Sequence, residues 1–280
     1  QMATLNTAEH FGLERELGSI TPGRRADFLM VSNLAELTID AVYGRGKLLS
    51  DGDGLKAKMP RFTYPDSAKN TIVMKRDMRA NDFEIKAPKK SGKAKVNVIG
   101  VIENQAPTKA LVKSVMVRDG IAQMDRKQDI CQIALVERHR AKGTVTNAFV
   151  SGFGYNKDCA IASSVAHDSH HMIVIGTNHD DRAAAANCLR EVGGGVCVYH
   201  KGERLALIEL PIAGLMADRP AEEVASDADQ MVAAMQAMGC NLNNAYMQHS
   251  LLALVVIPEL RISDIGLVDV RKFKKIELFV

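Results

Sequence analysis

The sequence predicts an α+β fold, a mostly antiparallel sheet domain with flanking helices. Three observations carry that expectation. Between Val96 and Ile175, six segments have the length and β-branched content of strands. They are followed by one capped helix, a hairpin and one long amphipathic helix. Strands grouped ahead of helices, instead of alternating with them, point to α+β and not to a parallel α/β sheet.

The chain has 280 residues, enough for about two domains of ordinary size. Apolar residues make up 46% and charged residues 25%, the balance of a globular protein and not of a disordered one. The formal net charge of +3 is too small for an electrostatic footprint on nucleic acid. The longest apolar run, Ser250 to Pro258, is about half of the roughly 18 residues a membrane span requires. The 5 cysteines form no CxxC pair, which fits neither a disulfide framework nor a zinc knuckle. With 13 methionines and no signal peptide, a reducing, cytoplasmic setting is expected.

Residues 1–60 read as one block. A helix runs from Met2 to about Phe11 and stops at Gly12, so Gln1 lies inside an element and the chain is expected to be cut from a longer protein. Thr21-Pro22-Gly23 forms a turn, and Ala26 to Val31 reads as a short buried strand. Ile39 to Tyr43 and Lys47 to Ser50 flank Gly44-Arg45-Gly46 as a hairpin, and Asp51 to Gly54 closes the block. From 61 to 95 apolar density falls, prolines appear and five lysines (86, 89, 90, 93 and 95) crowd together. No aromatic residues interleave with them to stack on bases, so this segment is expected to be a solvated connector.

Residues 96–280 form the second domain. Its strands are expected at 96–102, 114–118, 130–137, 144–150, 159–165 and 172–175. A helix from Asp180 to Val192 is capped by Thr177 or Asn178 and ends at Gly193-Gly194-Gly195. The hairpin 196–200 and 205–210 precedes a helix from about Pro220 to Met238, whose Met231, Met235 and Met238 share a core-facing stripe.

The densest polar constellation is Val165-Ala166-His167-Asp168-Ser169-His170-His171, followed by His179-Asp180-Asp181. Imidazole and carboxylate are the donor types for zinc, iron or manganese, and both move protons. The segment lies between strands, where neighbouring side chains diverge, so the spacing assigns no metal set; His171, His179 and Asp180 are the residues whose types could hold an ion. A polar loop that caps backbone groups is the plainer alternative. Gly193 to Gly195 follows a helix end, the reverse of a phosphate cradle, and Gly152 and Gly154 mark a bulge or a close backbone approach.

Two stretches resemble known families. Met2 to Leu13 followed by Leu17-Gly18-Ser19-Ile20-Thr21-Pro22-Gly23-Arg24-Arg25-Ala26-Asp27 resembles the C-terminal tail of the amidohydrolase superfamily. There a helix packs on a metal-bearing (β/α)₈ barrel and strands complete a small β-sandwich. Arg79 to Phe83, Thr146 to Gly154, Ser164 to His171, Gly176 to Asp181, Gly193 to Gly195, Leu210 to Leu215 and Ile265 to Val270 resemble the C-terminal domain of the adenine deaminase family. The resemblance implies an α+β domain preceded by the amidohydrolase β-sandwich tail, divided as 1–60, 61–95 and 96–280.

It also implies a hydrolase of purine metabolism (adenine salvage) that turns adenine and water into hypoxanthine and ammonia. In such an enzyme metal-bound hydroxide attacks C6 inside the barrel. The family's HxH strand and its other metal ligands do not occur in this sequence. Manganese or iron is therefore expected in the barrel half and none in this chain, which is expected to be inactive alone. The implied partners are adenine, the N-terminal amidohydrolase barrel and further copies in a homo-oligomer, with no nucleic acid and no membrane.

Within the chain, His167, Asp168 and His170 are expected to meet the purine or relay protons. Asp168, taken as partly buried, would accept the adenine amine or hold one histidine tautomer; its alternative is to cap the amides of Ser169 to His171. Two rival functions remain open: a self-sufficient metallohydrolase built on His167, Asp168, His170, His171 and His179, and a non-catalytic module that joins subunits or covers the barrel mouth.

Overall fold

Alternating and continuous apolar runs build two separate units, Gln1–Thr63 and Tyr64–Val280. The structure is a computed structural model that describes every residue except Met59 and Arg61; the expected boundary at 60/61 falls beside these two, outside the described residues. In the first unit, helix α1 (Leu5–His10) ends before Gly12. Strands β1 (Phe28–Asn33), β2 (Thr38–Gly44), β3 (Lys47–Asp51) and β4 (Gly54–Leu55) form an antiparallel meander in sequence order. The β2–β3 turn has Arg45 and Gly46 both at positive φ, 49° and 74°, which matches the twist of paired strands. The strand expected to be buried is not: Leu29 and Met30 are 54% and 51% exposed. A single sheet without a second layer in its own unit leaves one apolar face bare, and among the described residues only Ala8 and Ala41 of this unit are buried.

The second unit begins earlier than the sequence suggested. After α2 (Asp66–Lys69) and a 3₁₀ turn (Ala80–Phe83), residues expected to be a solvated connector bury Met74, Met78, Phe83 and Ile85. The Asn187 amide clamps the Met78 backbone, accepting from its N–H at 2.7 Å and donating to its carbonyl at 3.0 Å. The strands are β5 (Gly92–Gly100), β6 (Lys109–Arg118), β7 (Ile121–Ala122), β8 (Cys131–Val136), β9 (Val145–Ser151), β10 (Ala160–Ser163) and β11 (Met172–Gly176). After helix α3 (His179–Glu191) come β12 (Gly195–His200) and β13 (Glu203–Glu209). They form one sheet in the order β13-β12-β10-β11-β8-β9-β5-β6-β7, antiparallel throughout except for β5 against β9. This is the mostly antiparallel α+β architecture read from the sequence.

The central strands β8 and β11 are buried at every residue because both faces of the sheet are covered. On one face, α3 presents Ala185, Ala186 and Leu189, small residues that let a helix lie close. The other face packs against α4 (Ala221–Ala237), whose Met231 and Met235 join Met238 in the core as the sequence indicated. Helix α5 (Ala245–Leu251) and the meander β14 (Leu260–Ser263), β15 (Gly266–Asp269) and β16 (Lys274–Ile276) follow, with Leu260, Ile262 and Leu267 buried on that same face.

Gly195 opens β12 at φ 147°, and a β-carbon there would sit 2.1 Å from the Ile208 carbonyl oxygen. Substitution Gly195→Ala should therefore cost about 2–3 kcal/mol, combining backbone strain with overpacking. It should lower the urea midpoint with little change in slope, and an unaltered midpoint would refute the argument.

Candidate functional site

Antiparallel pairing creates the site. Strands β10 and β11 pair from Ala160↔Gly176 to Ser163↔Ile173, so residues 164–171 project as a loop from one end of the sheet. Strand β11 also pairs with β8, Met172 opposite Val136, which delivers Glu137, Arg138 and His139 to that end. The loop backbone is fixed from several sides. Arg138 Nε donates to the His170 carbonyl at 2.5 Å, the His167 amide donates to the Ser250 carbonyl at 3.0 Å, and the His170 amide donates to the Ala166 carbonyl at 2.7 Å. At its base, the buried Ser164 hydroxyl donates to the Gly214 carbonyl at 2.6 Å and accepts from the Gly195 amide at 2.7 Å.

This frame leaves a short polar crest. His167 and His170 are half-buried, with ring centroids 5.3 Å apart. The Ala166 amide donates to His170 Nδ1 at 3.3 Å. An accepting Nδ1 places the neutral ring's proton on Nε2, so His170 offers a donor there. Burial, reinforced by neighbouring cationic positions, holds His170 below the usual histidine value and keeps the ring neutral. Asp168 differs from its expectation: it is exposed, not partly buried, and makes no hydrogen bond among the described residues. Nor does it cap the following amides, because the His170 amide is already taken by Ala166.

His171 lies behind the crest. It is buried, its Nε2 stands 3.8 Å from Asp264 Oδ2, and its Nδ1 has no partner. Its ring packs 4.9 Å from that of His139, whose Nε2 donates to the Ser169 carbonyl at 2.8 Å. Burial lowers the His171 pKa, as it does for His170. Glu137 accepts three backbone amides, from His139, Arg140 and Lys142, at 2.6–2.7 Å, so it anchors its own turn. His139, Arg138 and Asp264 were not singled out from the sequence. They are distant along the chain, and only the β8–β11 register and the β14–β15 turn bring them here.

His179 and Asp180 do not join this group. They start α3, beyond the opposite end of β11. His179 Nε2 donates to Gln132 Oε1 at 3.0 Å, an oxygen shared with the buried Arg182, and burial pushes its pKa down to about 4. Asp180 is exposed in the first helical turn, where its charge suits the helix dipole. Asn178 caps α3 through the Asp181 amide at 2.7 Å. Among the described residues no group of three or more His, Cys, Asp or Glu side chains is arranged to hold a metal ion.

The geometry thus offers proton donors and acceptors on a rigid loop, without an ion-binding set. The adenine deaminase C-terminal domain family matches residues 105–274. The chain belongs to this family. The amidohydrolase family matches residues 1–59. The chain is similar to the adenine deaminase of Mesorhizobium japonicum, 62% identical over 280 residues, all of this chain and 46% of that protein. It is similar to adenine deaminase 3 of Rhizobium meliloti at 62% over 280 residues, all of this chain and 47% of that protein. Against the Moorella thermoacetica adenine deaminase it is 41% identical over 278 residues, 99% of this chain and 46% of that protein. The chain therefore spans about half the length of the curated relatives it matches.

Beside the loop of this adenine deaminase family domain, His249 is fully buried, with Nε2 3.0 Å from the Tyr155 hydroxyl and Nδ1 unpaired. Burial pushes its pKa down to about 3. Its folded value lies below its unfolded value, so its contribution is complete above about pH 6.5 and is lost as pH falls toward the folded value. Unfolding free energy should drop on acidification from pH 6.5, with His249 supplying up to about 1.4 kcal/mol per pH unit. Urea titrations of His249→Gln should give a shallower acid slope than the parent; equal slopes would exclude His249 as the source.

Proposed function

We propose that the chain is the C-terminal portion of an adenine deaminase, which hydrolyses adenine to hypoxanthine and ammonia. The observation that carries the reading is the 62% identity along the whole chain to proteins of that name, over only about half their length. In this reading residues 1–60 are the amidohydrolase tail, and the reacting centre, with its manganese or iron, belongs to the barrel half. The described residues of this chain do not fit such an ion: His171 and Asp264 meet beside an unpartnered Nδ1, while His179 points to Gln132. No step through a metal is assigned to them.

The role of this chain is to bind and orient. Adenine carries an exocyclic amine that donates and ring nitrogens that accept. An exposed carboxylate at Asp168 supplies an acceptor and a neutral His170 with its proton on Nε2 supplies a donor, a complementary pair. His167, packed on His170, would keep that ring in place and screen it from water. The reading extends to a cytoplasmic homo-oligomer without nucleic-acid or membrane partners. A net charge of +3 is too small for a nucleic-acid footprint, and among the described residues no helix is long and apolar enough to cross a membrane.

Two measurements test this. The complete protein should deaminate adenine while the 280-residue chain alone does not; turnover by the chain alone, with stoichiometric bound metal, would favour the self-sufficient metallohydrolase. In the complete protein, Asp168→Asn should lower kcat/KM at least about tenfold, the equivalent of roughly 1.4 kcal/mol. Its Tm should stay unchanged, because the side chain is exposed and unbonded. Unchanged turnover would remove Asp168 from the substrate site.

A further inference from the structure

The large sheet ends on one side at β13, a strand of 7 residues whose outer edge has no paired strand. Such an edge presents a row of free backbone donors and acceptors, which proteins usually blunt with proline, lysine or a covering segment. β13 carries neither proline nor lysine, and its Leu205 is 38% exposed. Among the described residues, its backbone bonds only to β12. A cavity of about 360 Å³ opens along this edge, between Arg204, Leu205, Leu207 and Glu209 of β13 and Asp227 and Gln230 of α4.

The charges on the edge are complementary to one another. Arg219, beside the cavity, is already tied to Asp227 and Glu223. Arg204 and Glu209 are exposed and form no ion pair among the described residues; the Arg204 guanidinium meets only the Cys188 sulfur, at 3.7 Å. The two share a face of the sheet. Gly195, Cys197 and Tyr199 of β12 alternate onto one face, and their partners are Glu209, Leu207 and Arg204. This register holds because Leu205 is an extra residue, a bulge opposite the step from Val198 to Tyr199. Counted from Leu207, Glu209 and Arg204 therefore stand equally far away in opposite directions. An antiparallel pairing of β13 with its own copy, two-fold about Leu207, sets each Arg204 against the Glu209 of the other chain.

We infer that β13 is the contact strand of a homodimer, in which the 9-stranded sheets of two copies join edge to edge. The helix beside the edge fits the same occupant. A two-fold of this kind keeps each face of the sheet on its own side, so α4 of one copy lies next to α4 of the other. Gln230 lines the cavity, and Ser226, Ala233 and Ala237 continue its stripe at helical spacing, all of them exposed. Apart from Gln230 these side chains are small, so two such helices can approach to about 8–10 Å between axes. An unrelated strand would gain the backbone ladder, but neither the two matched charge pairs nor the helix contact. The inference gives the homo-oligomer reading its interface and uses nothing about adenine.

The test is the mass of the 280-residue chain in solution, by analytical ultracentrifugation over a concentration series. The parent chain should sediment as a dimer. Arg204→Glu and Glu209→Arg each place two like-charge pairs across the two-fold, and each should weaken dimerisation at least about tenfold. An equimolar mixture of the two variants should recover the dimer, because one carries two acidic ends and the other two basic ends. Glu203→Arg, beyond the matched pairs, should leave the affinity unchanged. A monomeric parent would overturn the interface and the homo-oligomer reading together. A dimer indifferent to both charge reversals, or variants whose mixture stays monomeric, would overturn the interface alone.

Discussion

Arg138 holds three separate stretches of the second unit together. It is 2% exposed and has no carboxylate partner among the described residues; its guanidinium donates to the carbonyls of His170 at 2.5 Å, Ala213 at 3.2 Å and Thr71 at 3.5 Å. Burial draws its pKa down to about 10, so the charge persists at neutral pH and must be solvated by these carbonyls. The three acceptors belong to the histidine loop, to the turn after β13 and to the segment before the first long strand. A β-carbon on Gly214 would stand 2.9 Å from the guanidinium, so glycine there reflects the space the arginine fills. Residues 64–95 are tied in from the same place, since the Val73 amide donates to the Arg138 carbonyl at 2.8 Å.

The two ends of β11 show how one sheet serves two purposes. At the α3 end, Gln132 Oε1 accepts from both Arg182 and His179, and the Arg182 guanidinium lies over the Phe83 ring at 4.5 Å. Those polar groups face one another and the interior. At the opposite end, backbone contacts are satisfied by Arg138, Ser164 and Ser250, which frees Asp168, His167 and His170 to face outward. A loop locked chiefly through its main chain keeps its side chains in register, and of the three only His170 also supports the loop, through the Ala166 amide on its Nδ1.

Much of this was legible in the sequence because the signals were local. The strands of the large sheet, the Asn178 cap, the hairpin at Lys201-Gly202 and the Met231–Met235–Met238 stripe follow from β-branched runs, capping chemistry and helical spacing. Burial was harder to read. Ala26 to Val31 is apolar enough for a core strand, yet no second layer covers it within its unit. Met74, Met78, Phe83 and Ile85 are too widely spaced among polar residues to announce a core, and they are buried only because α3 and the sheet provide one. Helix α5 and the β14–β16 meander rest on short, weakly periodic runs. For the site, histidine density found the right loop, but His139 and Asp264 arrive through strand register, and Asp168 was misjudged because neighbours in sequence say little about which way a turn presents a carboxylate.

The parallel contact of β5 with β9 covers only Val98 to Gly100, leaving the first half of β5 open on that side. Residues 278–280 fill the gap: the Asn97 amide donates to the Leu278 carbonyl at 2.8 Å, Val96 bridges Phe279 and the Val280 amide donates to the Lys95 carbonyl at 3.1 Å. The Asn97 side chain adds a bond to the Glu277 carbonyl, 180 positions away in sequence. This patch of the sheet is therefore completed by a contact between the two ends of the second unit, among the longest-range pairings it makes. Without residues 278–280, half of β5 would be a bare strand edge able to pair with another chain. The lysines of that strand, Lys93 and Lys95, are exposed, and their like charges oppose edge-to-edge pairing with a second copy.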